Sequence, residues 1–203
     1  MEPIFSYNAD ISKNAYLNWR IETFDTPHNF SVIANGYHDA AVILINAALV
    51  DNHDKKADSI ILPILYCIDQ SFEVIIKATL YYLEVLNGQQ PSKYNHHDIK
   101  ALRKTMEGQI KKLEGRTAGL QDCLEPVDGY INELYSKIMP DGSNKPAMDF
   151  ARYPIDSDGK PHFYVAQLDN VVIDMENLRT WYEDAYERLD GLFVKYQVFL
   201  ENN

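Results

Sequence analysis

Few ionisable side chains in this 203-residue sequence stand where chemistry needs them, and the sharpest pair is Glu73 and Lys77. Four residues apart, they share one face of a helix, carboxylate beside ammonium. They lie in a narrow polar stripe, Tyr66, Gln70, Glu73, Lys77, Tyr81 and Glu84, on a segment that is otherwise apolar. The common role of such a pair is a salt bridge between two half-buried charges; the other reading makes the stripe the lining of a site. His96-His97-Asp98 joins imidazole to carboxylate. Neighbouring residues at a helix start point in different directions, however, and no third histidine stands at ligand spacing, so this reads as a capping cluster and no metal is expected. Arg152-Tyr153-Pro154 places a planar donor fork beside a proline that holds the backbone extended. Arg152 then either clamps its loop to an acidic helix face or, with Tyr153, faces a ligand.

Other chemistries have no footing. There is no Gly-x-Ser-x-Gly turn, no glycine-rich phosphate cradle and no Cys-x-x-Cys pair. Cys67 and Cys123 sit in apolar helical patterns, as small buried hydrophobes do. No cofactor is expected. Thirty acidic residues against nineteen basic ones give a formal net charge of -11, which repels polyphosphate at long range. RNA or nucleotide binding is thereby disfavoured as a general surface property. The start of the chain lacks the basic and apolar blocks of a signal peptide, and the apolar stretch from Ile60 to Leu86 is interrupted by Asp69, Gln70, Glu73, Lys77 and Glu84. A cytoplasmic protein with no membrane segment is the expectation.

The elements that must position these residues are helices. After Thr26-Pro27, a cap and a first-turn proline, Phe30, Ile33, Tyr37, Ala41, Leu44 and Ala48 recur at steps of three or four. A second helix is expected from near Pro63 to Asn87-Gly88, nearly surrounded by apolar residues. A third carries Ile99, Leu102, Met106 and Leu113 on one face, and a fourth runs from Leu120 to Ile138, bent by Pro126 and Gly129. The last helix, with Met175, Leu178, Tyr182, Ala185, Leu189, Leu192, Tyr196 and Phe199, has the clearest period. Its aromatic residues Trp181, Tyr182, Tyr186, Phe193 and Tyr196 are expected to supply core and dimer contacts. Residues 140–169 form a long excursion rich in Pro, Gly, Asp and Ser, with turns at Asp141-Gly142 and Asp158-Gly159 and a short strand at His162 to Ala166. Residues 1–25, with Phe5, Tyr7, Tyr16, Trp19 and Phe24, read as a segment packing onto the bundle. The fold class is all-α: one domain over 1–203, an up-and-down bundle of about five main helices with a long loop or short β-hairpin before the last.

This order of elements resembles the HEPN superfamily of helical bundles. Pro63-Ile64-Leu65-Tyr66 leading to Ser71-Phe72-Glu73-Val74-Ile75-Ile76-Lys77 is similar to the family's His-Ser-x-Glu-Leu-x-x-Lys helix. His97-Asp98-Ile99 with Leu102 is similar to its His-Asp-Leu helix start, and Phe150-Ala151-Arg152-Tyr153-Pro154 to its Phe-Arg-Tyr-Pro loop. The resemblance implies a homodimer, a possible protein partner, and a toxin-antitoxin or antiviral defence setting. Family ribonucleases pair an arginine with a histidine four to six residues later near the last helix, and that motif is missing: no histidine follows Arg179 or Arg188, and Arg152 is too far from His162. Gln70 stands where the family often has histidine. The reading is therefore a degenerate, non-catalytic HEPN-like binding protein with Tyr66, Gln70, Glu73, Lys77, His97, Arg152 and Tyr153 lining its cleft. The alternative is a ribonuclease or nucleotide-acting enzyme built on Glu73, Lys77, His97 and Arg152.

Overall fold

A computed structural model describes residues 3–116, 118–139 and 149–202. Among them are six α-helices: α1 (Thr26–Val50), α2 (Lys56–Leu86), α3 (Ile99–Glu114), α4 (Leu120–Ile138), the short α5 (Phe163–Ala166) and α6 (Met175–Glu201). The five long helices form an all-α bundle. α2 is its axis, packed against α1, α3 and α6, while α4 lies across α6 and touches α3. Ile64, Ile68, Phe72, Ile75, Ile76, Leu80 and Leu83 of α2 are all fully buried. Removing that much apolar surface from water is the main source of the bundle's stability.

Caps fix where the helices begin. Asp25, not Thr26, caps α1, accepting from the His28 N–H at 3.0 Å. Asp98 caps α3 through the Ala101 N–H, and Asp174 caps α6 through the N–H groups of Glu176 and Asn177. α2 begins two turns before Pro63. The side chain of Asn52 accepts from the Ala57 N–H at 2.8 Å, so the helix has its cap upstream, and Pro63 sits on its exposed side at the cost of one backbone bond.

α1 and α2 are each long and apolar enough, by length and composition, to cross a membrane. Core helices pass the same test, and 56% of the α2 window is buried within the bundle against 22% for α1. The outer side of α1 exposes Ile33, Ile43 and Val50. On α6, Tyr182, Tyr186, Phe193 and Tyr196 are buried in the core, which leaves Trp181 as the partly exposed member of the expected aromatic set.

The N-terminal segment differs from expectation. It is tied back to α1 by Asn29, which exchanges hydrogen bonds with the Glu22 backbone at 2.8 and 2.6 Å, yet Phe5, Tyr7, Trp19 and Phe24 are exposed rather than packed. The residues ahead of α6 also depart from the sequence reading. Phe163–Ala166 is a single helical turn, not a strand, because the N–H groups of Val165 and Ala166 find the His162 carbonyl and no second strand lies alongside among the described residues. The strand-like pairing among the described residues is one antiparallel bridge, Ile155 to Pro161, closed by a turn in which Gly159 takes φ +78°. The Asp141-Gly142 turn lies outside the described residues.

Candidate functional site

The residues of the polar stripe separate along α2. Glu84, at its far end, is buried and accepts from the Ser92 N–H at 2.6 Å and the Tyr94 hydroxyl at 2.5 Å, so it staples the loop between α2 and α3. The end nearer the middle of α2 opens on a cleft of about 380 Å³, its solvent-filled mouth included, lined by Tyr66, Asp69, Gln70, Glu73, His97 and Arg152. Three parts of the chain meet there: α2 as the floor, the residues just before α3, and the loop after residue 149.

Glu73 is 5% exposed and carries two partners. Lys77 donates to Oε1 at 2.7 Å, and the His97 ring sets Nδ1 at 3.0 Å from both carboxylate oxygens. A carboxylate only accepts, so Nδ1 carries the hydrogen and the ring presents Nε2 away from Glu73. The His97 side chain is 64% exposed, whereas that of Lys77 is 11% exposed. Lys77 therefore belongs to the support of the cleft and not to its lining. Its ion pair with Glu73 neutralises two charges that burial would otherwise make costly.

Arg152 joins the lining from the loop after residue 149. Phe150 anchors its loop in the core, and the Tyr164 hydroxyl bonds the carbonyls of Phe150 and Tyr153 at 2.9 and 3.0 Å. The expected clamp onto an acidic helix face is not made. Among the described residues the Arg152 guanidinium has no carboxylate partner; it lies over the Tyr153 ring at 5.4 Å. Tyr153 is exposed behind Arg152 and does not line the cleft.

Asp69 is the member of the site that the sequence reading passed over, as one polar interruption of an apolar run. It is 4% exposed, one helical turn before Glu73. Tyr130 of α4 donates to its Oδ1 at 2.7 Å, while the buried Oδ2 has no partner among the described residues. Burial pushes the carboxyl up to about 7; the Tyr130 hydrogen bond works against this and the Glu73 charge adds to it. Burial likewise pushes the Tyr130 hydroxyl well above its ordinary value, so it remains a donor. The i,i+4 spacing of Asp69 and Glu73 was a signal for the pair, but nothing in the sequence pointed to Tyr130.

Among the described residues no three His, Cys, Asp or Glu side chains gather as a metal site. The cleft is lined by one arginine that has no carboxylate partner among the described residues, one imidazole held by a carboxylate, Gln70, Tyr66 and one buried carboxyl. Lys77 offsets the charge of Glu73, and burial pushes the Asp69 carboxyl toward its neutral form. No family model, no curated protein and no solved structure matches this chain.

Proposed function

We propose that this chain is a HEPN-like, cytoplasmic, homodimeric binding protein whose cleft takes an anionic group of the phosphate type without cleaving it. The observation that carries the reading is Arg152, whose guanidinium has no carboxylate partner among the described residues and which lines one cleft with a His97 ring fixed by Glu73. Arginine's planar fork suits phosphate oxygens, and a cation left without a carboxylate gains from an anionic guest. Support for the family comes from the order of its motif-like segments, and with it comes the toxin-antitoxin or defence setting. The missing Arg-x4-6-His motif, and a Glu73-Lys77 pair closed on itself, favour binding over turnover. A second copy is assigned to the outer side of α1, where Ile33, Ile43 and Val50 are exposed beside one acid, Asp39.

One feature favours the enzymatic alternative. A histidine oriented through Nδ1 by Glu73, in a cleft that is also lined by an arginine, is an arrangement suited to proton transfer at a phosphodiester. The deciding experiment incubates purified protein with end-labelled RNA and with nucleotides, following binding by fluorescence anisotropy and turnover by chromatography. Saturable binding lost in Arg152→Ala, with intact substrate recovered, is expected. Cleavage abolished by both Arg152→Ala and His97→Ala would establish the enzyme instead, and binding unaffected by Arg152→Ala would remove both readings.

A further inference from the structure

The residues ahead of α1 combine local order with almost no burial. Between residues 3 and 24 every residue is exposed except Asn14, which is half-buried. Polar bonds of short range shape the backbone there. Asn8 and Asn14 exchange hydrogen bonds at 2.8 Å, Asp10 caps the turn Ile11–Lys13, and Asn29 and the His28 ring tie the last residues to the start of α1. Yet Ile4, Phe5, Tyr7, Leu17, Trp19 and Phe24 are each 70% to 98% exposed. Segments that remain in water are poor in such residues and carry net charge. This one has two acids, Asp10 and Glu22, against two bases, Lys13 and Arg20, so it is neutral in a chain of net charge -11. Two copies can meet there without the repulsion that the acidic remainder imposes. Aromatic side chains beside an arginine are also what contacts between proteins select.

A surface of matching character lies on the same chain. α1 is apolar enough to cross a membrane, yet 22% of that window is buried. Its outer side presents Ile33, Ile43 and Val50, and a Cβ added at Gly36 meets nothing within 4 Å. The segment leaves at Asp25, the cap of that helix, and within one copy both surfaces stay open. We infer that residues 3–24 are an exchange arm: in the homodimer each copy lays Phe5, Trp19 and Phe24 along the outer side of the second copy's α1 and receives the same contact in return. This rests on the homodimer assigned above and adds to it the segment that seals it. The lengths suit the exchange, since α1 spans about 37 Å and an arm of this length reaches up to about 70 Å. The area suits it too. At about 150–250 Å² apiece, Phe5, Tyr7, Trp19 and Phe24 hold roughly 600–1,000 Å² per copy, against the roughly 800 Å² that each partner of a stable complex buries.

The test follows mass and Trp19 together in the full chain carrying Trp181→Phe, which leaves Trp19 as its one tryptophan. Sedimentation and emission are recorded from nanomolar to high-micromolar protein. The mass is expected to double while the emission of Trp19, 81% exposed in the single copy, shifts to the blue with the same midpoint. Phe5→Ser combined with Phe24→Ser should raise the dimer dissociation constant at least about hundredfold, the loss of two aromatic anchors, with the melting temperature of the dilute monomer unchanged. Ile43→Asp, on the receiving surface, should weaken the dimer as well, and a dimer indifferent to it would place the arm elsewhere and overturn the inference. A dimer in which Trp19 keeps the emission of an exposed indole, or that the paired serine variant leaves intact, overturns the inference while the homodimer stands. A monomer at every concentration overturns both, and a blue shift then seen only on vesicles of phosphatidylcholine and phosphatidylglycerol would assign the arm to a membrane. Emission already blue in the dilute monomer would put the arm on its own bundle and sink the inference. The Trp19 shift decides the matter even where the serine variant is unstable.

Discussion

Tyr130 on α4 gives its hydroxyl hydrogen to Oδ1 of Asp69 on α2 at 2.7 Å, a bond between residues 61 positions apart, while the buried Oδ2 has no partner among the described residues. The carboxyl titrates near 7 in the folded chain against an ordinary value of 3.8. Between those values the native state keeps a proton that the unfolded state has released. Its contribution to stability is therefore full below about pH 4 and is lost as pH rises through 7, a swing of roughly 4 kcal/mol at most. Urea denaturation of the unaltered protein and Asp69→Asn at several pH values measures it. The variant should lack this decline, and parallel stability curves would mean that Asp69 is ionised when folded.

Glu73 compensates a nearly buried ammonium. Replacing it by alanine strands Lys77 and should cost about 3–5 kcal/mol, whereas the double change Glu73→Leu with Lys77→Met should recover most of that loss. Chemical denaturation of the three variants checks both halves. A mild effect of Glu73→Ala alone would show that water reaches Lys77 freely.

Arg152 carries binding but little structure. Its loop is held by Phe150 and by the Tyr164 hydroxyl, so Arg152→Ala should change stability by no more than about 0.5 kcal/mol. Oxyanion affinity should drop by at least about tenfold, the loss of one charge-assisted contact. A thermal melt and a sulfate titration on the same sample separate the two effects; a large fall in melting temperature would assign the residue to the fold.

Gly129 lets α4 and α6 approach. A Cβ built there would lie 2.3 Å from Cζ3 of Trp181, so Gly129→Ala must push the indole aside. Overpacking of this kind costs about 1–3 kcal/mol. Trp181 is 43% exposed, and the other tryptophan, Trp19, is 81% exposed. In a Trp19→Phe background the emission of Trp181 should shift to the red in Gly129→Ala. Unchanged emission and stability would mean that the helices slide apart without strain.

Much of the bundle was legible because helical burial repeats at short range. The spacing from Met175 to Phe199 predicts α6, and the steps from Leu120 to Ile138 with a stop before Pro140 predict α4. What failed depended on partners distant in sequence. Pro63 suggested a helix start, but the cap from Asn52 lies upstream, and a single lost bond does not end a helix whose whole inner face is buried. His162 to Ala166 has the composition of a strand and, among the described residues, no strand to pair with. The cleft divides in the same way. Glu73 and Lys77 are coupled by helical geometry alone, so their pairing could be read off their spacing. The joining of Asp69 to Tyr130, and the approach of Arg152 from a loop beyond α4, arise from helix packing that no local pattern encodes.

The loop bearing Arg152 is cross-tied before any guest arrives. Besides Phe150 and Tyr164 it has the Ile155 to Pro161 bridge, and the His162 N–H bonds the Pro154 carbonyl at 3.1 Å. Its backbone freedom is thus given up during folding, and a guest need restrain only the guanidinium side chain, at about 0.5–1.5 kcal/mol. Such preorganisation has a kinetic signature: capture should be one bimolecular step whose observed rate rises linearly with ligand concentration and shows no plateau.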